Sequence, residues 1–369
     1  MGRERLLRQT SYEPSSRNDL DDRGDPSSCG ACFPAWHDAP PGCPARLGPR
    51  AGYRSSCCLR HRCRAGTSVR GAASGRDAKR TARHGAYGLR LPRVLLAAAV
   101  GAALAVAGAS LQGLFRNPLA EPQLIGVSAG AALGAIAMIV IGEGLGLPDQ
   151  VQPYALPLAA IGGAALVTTG LYLFAARRGD PSMTTMLLIG IAVNALAGVG
   201  IGLFTWIAND GQLRSLTFWS LGSFGSAQWT TVMPALVLIG LAVMALLPGA
   251  RQLDLLQLGE TEARRLGVSV SRLKRRLVFA SAAAVGAGVA VSGVIGFLGL
   301  VVPHIARMLG GVHHGYLLPA SALLGAGLAV VADLGARTFV SPAEMPVGLI
   351  TSALGAPFFL WLIARLRTP

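Results

Sequence analysis

The chain has 369 residues, 52% of them hydrophobic and only 14% charged, with a mean hydropathy of +0.49. That balance excludes an ordinary soluble domain and makes the bilayer the expected solvent. The net charge of +15 is unevenly spread: eighteen of the 33 Lys and Arg precede residue 94, so two kinds of sequence meet near residue 90.

Residues 1–86 hold all six cysteines (Cys29, Cys32, Cys43, Cys57, Cys58 and Cys63) among many Arg, Pro, Ser and Gly. They show neither helical nor strand periodicity and are expected to be disordered. Cys29 and Cys32 have CxxC spacing, but a zinc site needs four ligands on an ordered scaffold, so no metal or cofactor is expected. The patch "CCLRHRCRAG" is basic enough to attract nucleic acid. Without an aromatic platform it reads as a solvated tail, and no nucleic-acid partner is expected. No apolar h-region marks a signal peptide.

Beyond this prefix, apolar runs long enough to cross the hydrocarbon core as helices fall at about 94–115, 123–142, 154–176, 183–207 and 229–247. Residues 208–228 read as an interfacial loop with a short helix, and Trp206, Trp219 and Trp229 suit a headgroup belt. After a basic interruption come runs at about 277–296, 297–311, 315–335 and 346–364. Hydropathy alone would also permit the first two to merge into one helix bent at Pro303. The interruption, residues 251–276, carries Arg251, Arg264, Arg265, Arg272, Lys274, Arg275 and Arg276, which places it on the cytoplasmic side. Alternation from there puts the C-terminus inside and makes the chain enter its first span from outside. A basic prefix cannot easily cross a membrane. An outward-running helix is therefore expected upstream, and residues 1–86 are expected to be an inauthentic prefix from a wrong start site or a frame error.

Small residues such as Gly101, Gly108, Gly162, Gly163, Gly325 and Gly327 indicate closely packed helices. Ionisable residues inside the spans are scarce, Asp333 and His304 being the main ones, and Asp333 reads most economically as a pair with Arg337. No nucleophile elbow or HExxH motif occurs, so an enzyme is not expected. An ion-coupled carrier usually needs an intramembrane carboxylate or His chain, which is scarce here, so that reading stands as the less favoured alternative. The energy source is expected in another chain. "LLQLGETEARRLGVS" reads as a short helix from about Thr261 that closes at Gly267, with Glu260 and Glu262 near its positive end. It is either a handle for a partner or a solvated loop.

The motifs "LRLPRVLLA", "GASLQGLFRNPLAEPQLIGVSAGAALGA", "LGETEARRLGV", "GVIGFLGLVVPHIARMLGG", "LLPASALLGAGLAVVADLGART" and "EMPVGLITSALGAPFFLWLI" occur in order. From about residue 87 to 367 the chain resembles the FecCD-type permeases of binding-protein-dependent ABC importers, a family of vitamin B12, ferric-siderophore and heme permeases. The resemblance implies an all-α polytopic bundle of ten helices, nine of them visible here, in a bacterial inner membrane. It also implies a homodimer working with two cytoplasmic ATPase subunits and a periplasmic binding protein. The family's ATPase-coupling loop matches Gly259, Glu260, Ala263, Arg264, Leu266 and Gly267. Its cytoplasmic gate matches Met183 and Thr184, where the B12 permease has small polar residues, so Met183 departs from the pattern. Its docking arginines match Arg90, Arg93 and Arg337.

Arg93 is unusual on physical grounds as well. Pro92 suits a first helical turn, which sets Arg93 at the positive end of a helix, on the face where basic residues are disfavoured. Such a residue serves either a partner or a lipid phosphate. Asn194 and the last span are expected to line the path between two copies. The expected cargo is an iron chelate, heme slightly ahead of ferric siderophore, with cobalamin as the alternative.

Overall fold

Each apolar run forms a helix in the computed structural model, which describes residues 85–177, 183–340 and 343–366. These residues all fall in one compact unit, Ala73–Pro369. Apart from Gly85 and Ala86, the prefix lies outside the described residues. The helices are α1 (Leu91–Phe115), α2 (Val127–Ile141), α3 (Gln152–Ala176), α4 (Met183–Ile207), α5 (Asp210–Ser220) and α6 (Trp229–Leu246). Then follow α7 (Ala250–Leu256), α8 (Glu260–Arg265), α9 (Val270–Ser292), α10 (Leu298–Gly310), α11 (His314–Thr338) and α12 (Val347–Leu366). Seven helices are long and apolar enough to cross a membrane, while α10 and α12 are shorter apolar helices. No strand occurs among the described residues.

Local signals set the boundaries. Pro92 lies in the first turn of α1, and Arg116 ends that helix in the left-handed region at φ 49°. Asn209 and Gln212 form a reciprocal capping box at the start of α5, the short helix expected between the fourth and fifth runs. The run at 277–296 is corrected in register: α9 begins at Val270 and absorbs the last third of the basic interruption. Helix propensity explains the extension, because "SRLKRR" contains no breaker. The two runs expected at 277–311 do not merge. Gly293 (φ 71°) and Phe297 (φ 67°) take left-handed conformations, and the chain between α9 and α10 is not helical.

Broken backbone at this depth needs new partners. The Gln112 amide donates to the carbonyl of Gly299, and the Asn194 amide donates to the carbonyl of Gln123 in the 3₁₀ turn Pro122–Ile125 between α1 and α2.

α1 and α9 run through the middle of the bundle, α1 against α9, α10 and α11, and α9 against α6, α5's neighbour Ser223 and α3. The approach of α1 to α11 depends on missing side chains. A Cβ at Gly101 would overlap the carbonyl of Gly325, and a Cβ at Gly108 would overlap the carbonyl of Gly299 in α10. α4 lies at the periphery, with Leu188, Ile191, Leu196, Val199 and Leu203 exposed.

Candidate functional site: two polar ends of one helix

α1 has 25 residues. At about 1.5 Å per residue its ends stand roughly 37 Å apart, and the expected site residues divide between them.

At the first end, a single wide turn, Gly85–Arg90, leads into α1 and leaves Arg90 exposed. Arg93, one turn on, is not turned outward as the resemblance implied. It is 8% exposed, and its guanidinium is engaged within the chain. Nε donates to Asp333 Oδ1 and Oδ2 at 2.9 and 3.1 Å, and Nη2 lies 2.9 Å from Oδ1. Nη1 donates to both oxygens of Glu344 at 3.0 Å. Arg337, one turn after Asp333 on α11, adds Nη2 at 3.2 Å from Asp333 Oδ2. The economical pairing of Asp333 with Arg337 is therefore present, and Arg93 joins it. Asp333 is 1% exposed, so without these cations it would be an uncompensated buried charge.

Within this cluster two arginines and two carboxylates cancel, and Arg90 stands exposed outside it. Glu344 is half exposed and reaches Arg93 from the solvent side. The reach of Arg93 to Asp333 follows from the glycine-mediated approach of α1 to α11, a contact 240 positions apart in sequence. The Trp229 indole donates to the carbonyl of Tyr87 at 2.9 Å and pins the entry turn to α6. Trp206 is 84% exposed, as a headgroup residue should be, whereas Trp219 packs half-buried against the core.

At the opposite end the basic interruption is mostly helical. Gly259 (φ 111°) turns the chain between α7 and α8. α8 starts one residue before Thr261 and closes as its sequence indicates. Gly267 takes φ 86°, its N–H donates to Arg264, and Val268 N–H donates to Ala263. Ala263 is fully buried and anchors the segment, whereas Leu266 is exposed. Glu260 holds Lys274 of α9 at 2.8 Å and lies 3.7 Å from Arg264, and Glu262 holds Arg265 at 2.8 Å. A rigid helix–turn–helix thus presents Arg264, Arg265 and Leu266 to solvent. Gln257 donates to the carbonyl of Gly113 at 2.9 Å, which ties this segment to the far end of α1.

The expected gate lies at the start of α4. Met183 and Thr184 open that helix, and their side chains lie outside the described residues. Asn194 is half-buried; its amide donates to the carbonyl of Gln123, and it lines a cleft together with Glu121, Gln123, Ser128 and Val294. His304 packs edge-on to Phe358 of α12. Asp254, Glu344, Arg307 and His314 were not among the expected site residues. Nothing local in the sequence shows what each of them touches.

Comparisons with known proteins bear on the family and the overall fold. A model of the FecCD transport family matches residues 67–365. The hemin transport system permease protein HmuU of Yersinia pestis is 52% identical over 279 residues, 76% of this chain and 83% of that protein. The vitamin B12 import system permease protein BtuC of Vibrio vulnificus is 43% identical over 277 residues, 75% of this chain and 82% of that protein. A solved structure described as an inward-facing conformation of a metal-chelate type ABC transporter superposes with a TM-score of 0.71 at 36% identity, covering 77% of this chain and 88% of that one. Ordered motifs, a bundle of apolar helices and a match over most of the described residues lead to one conclusion: the chain belongs to the FecCD transport family and is a polytopic membrane permease of the ABC importer type.

Proposed function

We propose that the chain forms the translocation path of an importer for an iron chelate, with heme favoured over ferric siderophore. The carrying observation is the gap between 52% identity to a hemin permease and 43% to a B12 permease over matching lengths. Two copies pair in the inner membrane, with α4 and α12 facing the shared path and lipid. The exposed apolar face of α4 supports this arrangement. The segment around α8 faces the cytoplasm and engages an ATPase subunit through Arg264, Arg265 and Leu266. ATP-driven closure of two such subunits moves α8, and Lys274 and Gln257 carry that movement into α9 and α1. No bond in the cargo is made or broken by this chain.

Arg90 and Arg337 meet a periplasmic binding protein, while Arg93 supports them from behind. Exposed ion pairs contribute about 0.2–1 kcal/mol each, so these arginines steer encounter and set orientation more than they hold the complex. Reversal of Arg90 to Glu should reduce binding-protein-stimulated ATP hydrolysis at low salt and remove most of its salt dependence. An unchanged response would assign Arg90 to lipid headgroups instead. Reconstitution into proteoliposomes with the ATPase and binding protein tests the cargo directly. Heme should accumulate only when ATP is supplied. Cobalamin uptake in its place would overturn the heme assignment, and uptake driven by an ion gradient without ATP would overturn the importer mechanism.

A further inference from the structure

A cleft of about 540 Å³ opens between the C-terminal end of α1, α7 and the turn from α10 to α11. It belongs to neither of the surfaces assigned above. Arg307, in the last turn of α10, reaches into it. Its Nη2 donates to Gln112 Oε1, but its Nη1 is buried and has no hydrogen-bond partner among the described residues. No carboxylate pairs with Arg307 among those residues. Arg307 as a whole is half-buried; the buried basic side chains Arg93 and Lys274 sit on carboxylates, Arg93 on Asp333 and Glu344 and Lys274 on Glu260.

Asp254 is the carboxylate that lines this cleft; its Oδ1 is committed to His314, while its Oδ2 is buried without a hydrogen-bond partner among the described residues. Oδ1 accepts the His314 backbone N–H at 2.9 Å and lies 2.6 Å from His314 Nδ1, while Oδ2 lies 3.2 Å from His313 Nε2. The carbonyls at the end of α1 are also occupied. Gly113 O accepts from Gln257 and Arg116, and Gln112 O accepts from Asn117. Arg116 stands exposed at the rim, and the positive end of α11 begins at His314 on the opposite wall. Arg307, Arg116 and Asp254 leave the cleft one positive charge in excess before the histidines are counted.

We propose that this cleft binds a phosphate-type oxyanion, with Arg307 as its principal ligand and Arg116 at the mouth. A buried guanidinium edge without an acceptor is costly. A tetrahedral oxyanion supplies acceptors in the geometry that the guanidinium fork fits, beside a helix N-terminus. A basic recess between membrane helices meets this chemistry in two sources: the phosphodiester of an anionic lipid headgroup and free phosphate. The bound anion would join α1, α7, α10 and α11 at the end that carries α8. The proposal does not depend on the identity of the cargo.

The test uses the full-length purified protein in phosphate-free buffer. One arm titrates inorganic phosphate and follows binding by calorimetry. The other compares retention of phosphatidylglycerol and phosphatidylcholine by native mass spectrometry. Binding is expected in at least one arm, and which arm responds identifies the source. Arg307→Gln should weaken it at least about tenfold, Arg307→Lys should restore part of it, and Arg116→Gln should weaken it about threefold, as expected for charge-assisted hydrogen bonds. Arg116 lies beyond the end of α1, so its variant remains informative if Arg307→Gln does not fold. Failure of the wild-type protein to take up phosphate or to prefer the anionic lipid overturns the proposal. So does wild-type affinity in every variant that folds.

Discussion

α1 and α4 are both 25-residue helices whose most apolar stretches have near-identical mean hydropathy, yet they occupy opposite environments. The most apolar stretch of α1 is 72% buried inside the protein, and that of α4 is 11% buried. In water such a difference would be written in the hydropathy, because an exposed helix face must be polar. In a bilayer it is not, because lipid tails are as apolar as a protein core. What separates the two helices is side-chain size at particular positions. α1 places Gly101 and Gly108 where neighbouring carbonyls approach, whereas Gly198 and Gly202 of α4 face open space within the chain.

The strongest way to break the comparison is at the one charged position inside α1. Arg93→Met leaves Asp333 with Arg337 alone and Glu344 with no cation, at a cost of about 3–5 kcal/mol. Thermal unfolding in detergent should show a large drop, and a variant as stable as wild type would mean the network contributes nothing. Next comes the glycine contrast. Gly108→Val should cost about 1–3 kcal/mol by overpacking, while Gly202→Val should change stability by less than about 0.5 kcal/mol. Equal losses in the two variants would show that α4 is covered by a second copy, which sharpens the comparison.

The polar segment between these apolar helices supplies the smaller effects. Gly267→Ala forces an L side chain into the left-handed region at φ 86°, at about 1–2 kcal/mol. Its signature is a loss of ATPase coupling that exceeds the loss of overall stability, read by comparing stimulated hydrolysis with the unfolding midpoint. Glu262→Gln removes an exposed pair with Arg265 and should shift stability by no more than about 0.5 kcal/mol.

Much of the fold was legible from local chemistry. All nine apolar runs are helices, the short helix α5 falls within 208–228, α8 closes at Gly267 as its sequence indicates, and the break between α9 and α10 falls at glycine. The register of α9 was not legible, because its first two turns are basic and a hydropathy count begins only at the apolar residues. The candidate site was readable in kind but not in pairing. Arg93 is conspicuous by position, and the sequence indicates that it needs an anion. Whether that anion belongs to a partner, a lipid or this chain depends on Asp333, 240 positions away.

The sequence by itself determined where the chain turns helical, where it breaks and which segments are too charged for the bilayer. Those properties depend on residues within a turn or two of each other, and on the number of apolar side chains needed to span hydrocarbon. Only the tertiary structure decided which apolar helix lies inside, that Arg93 faces inward, and that no carboxylate among the described residues pairs with Arg307. Lipid and protein interior are alike as solvents for an apolar helix, so these choices are made by close packing and by charge pairing between distant segments.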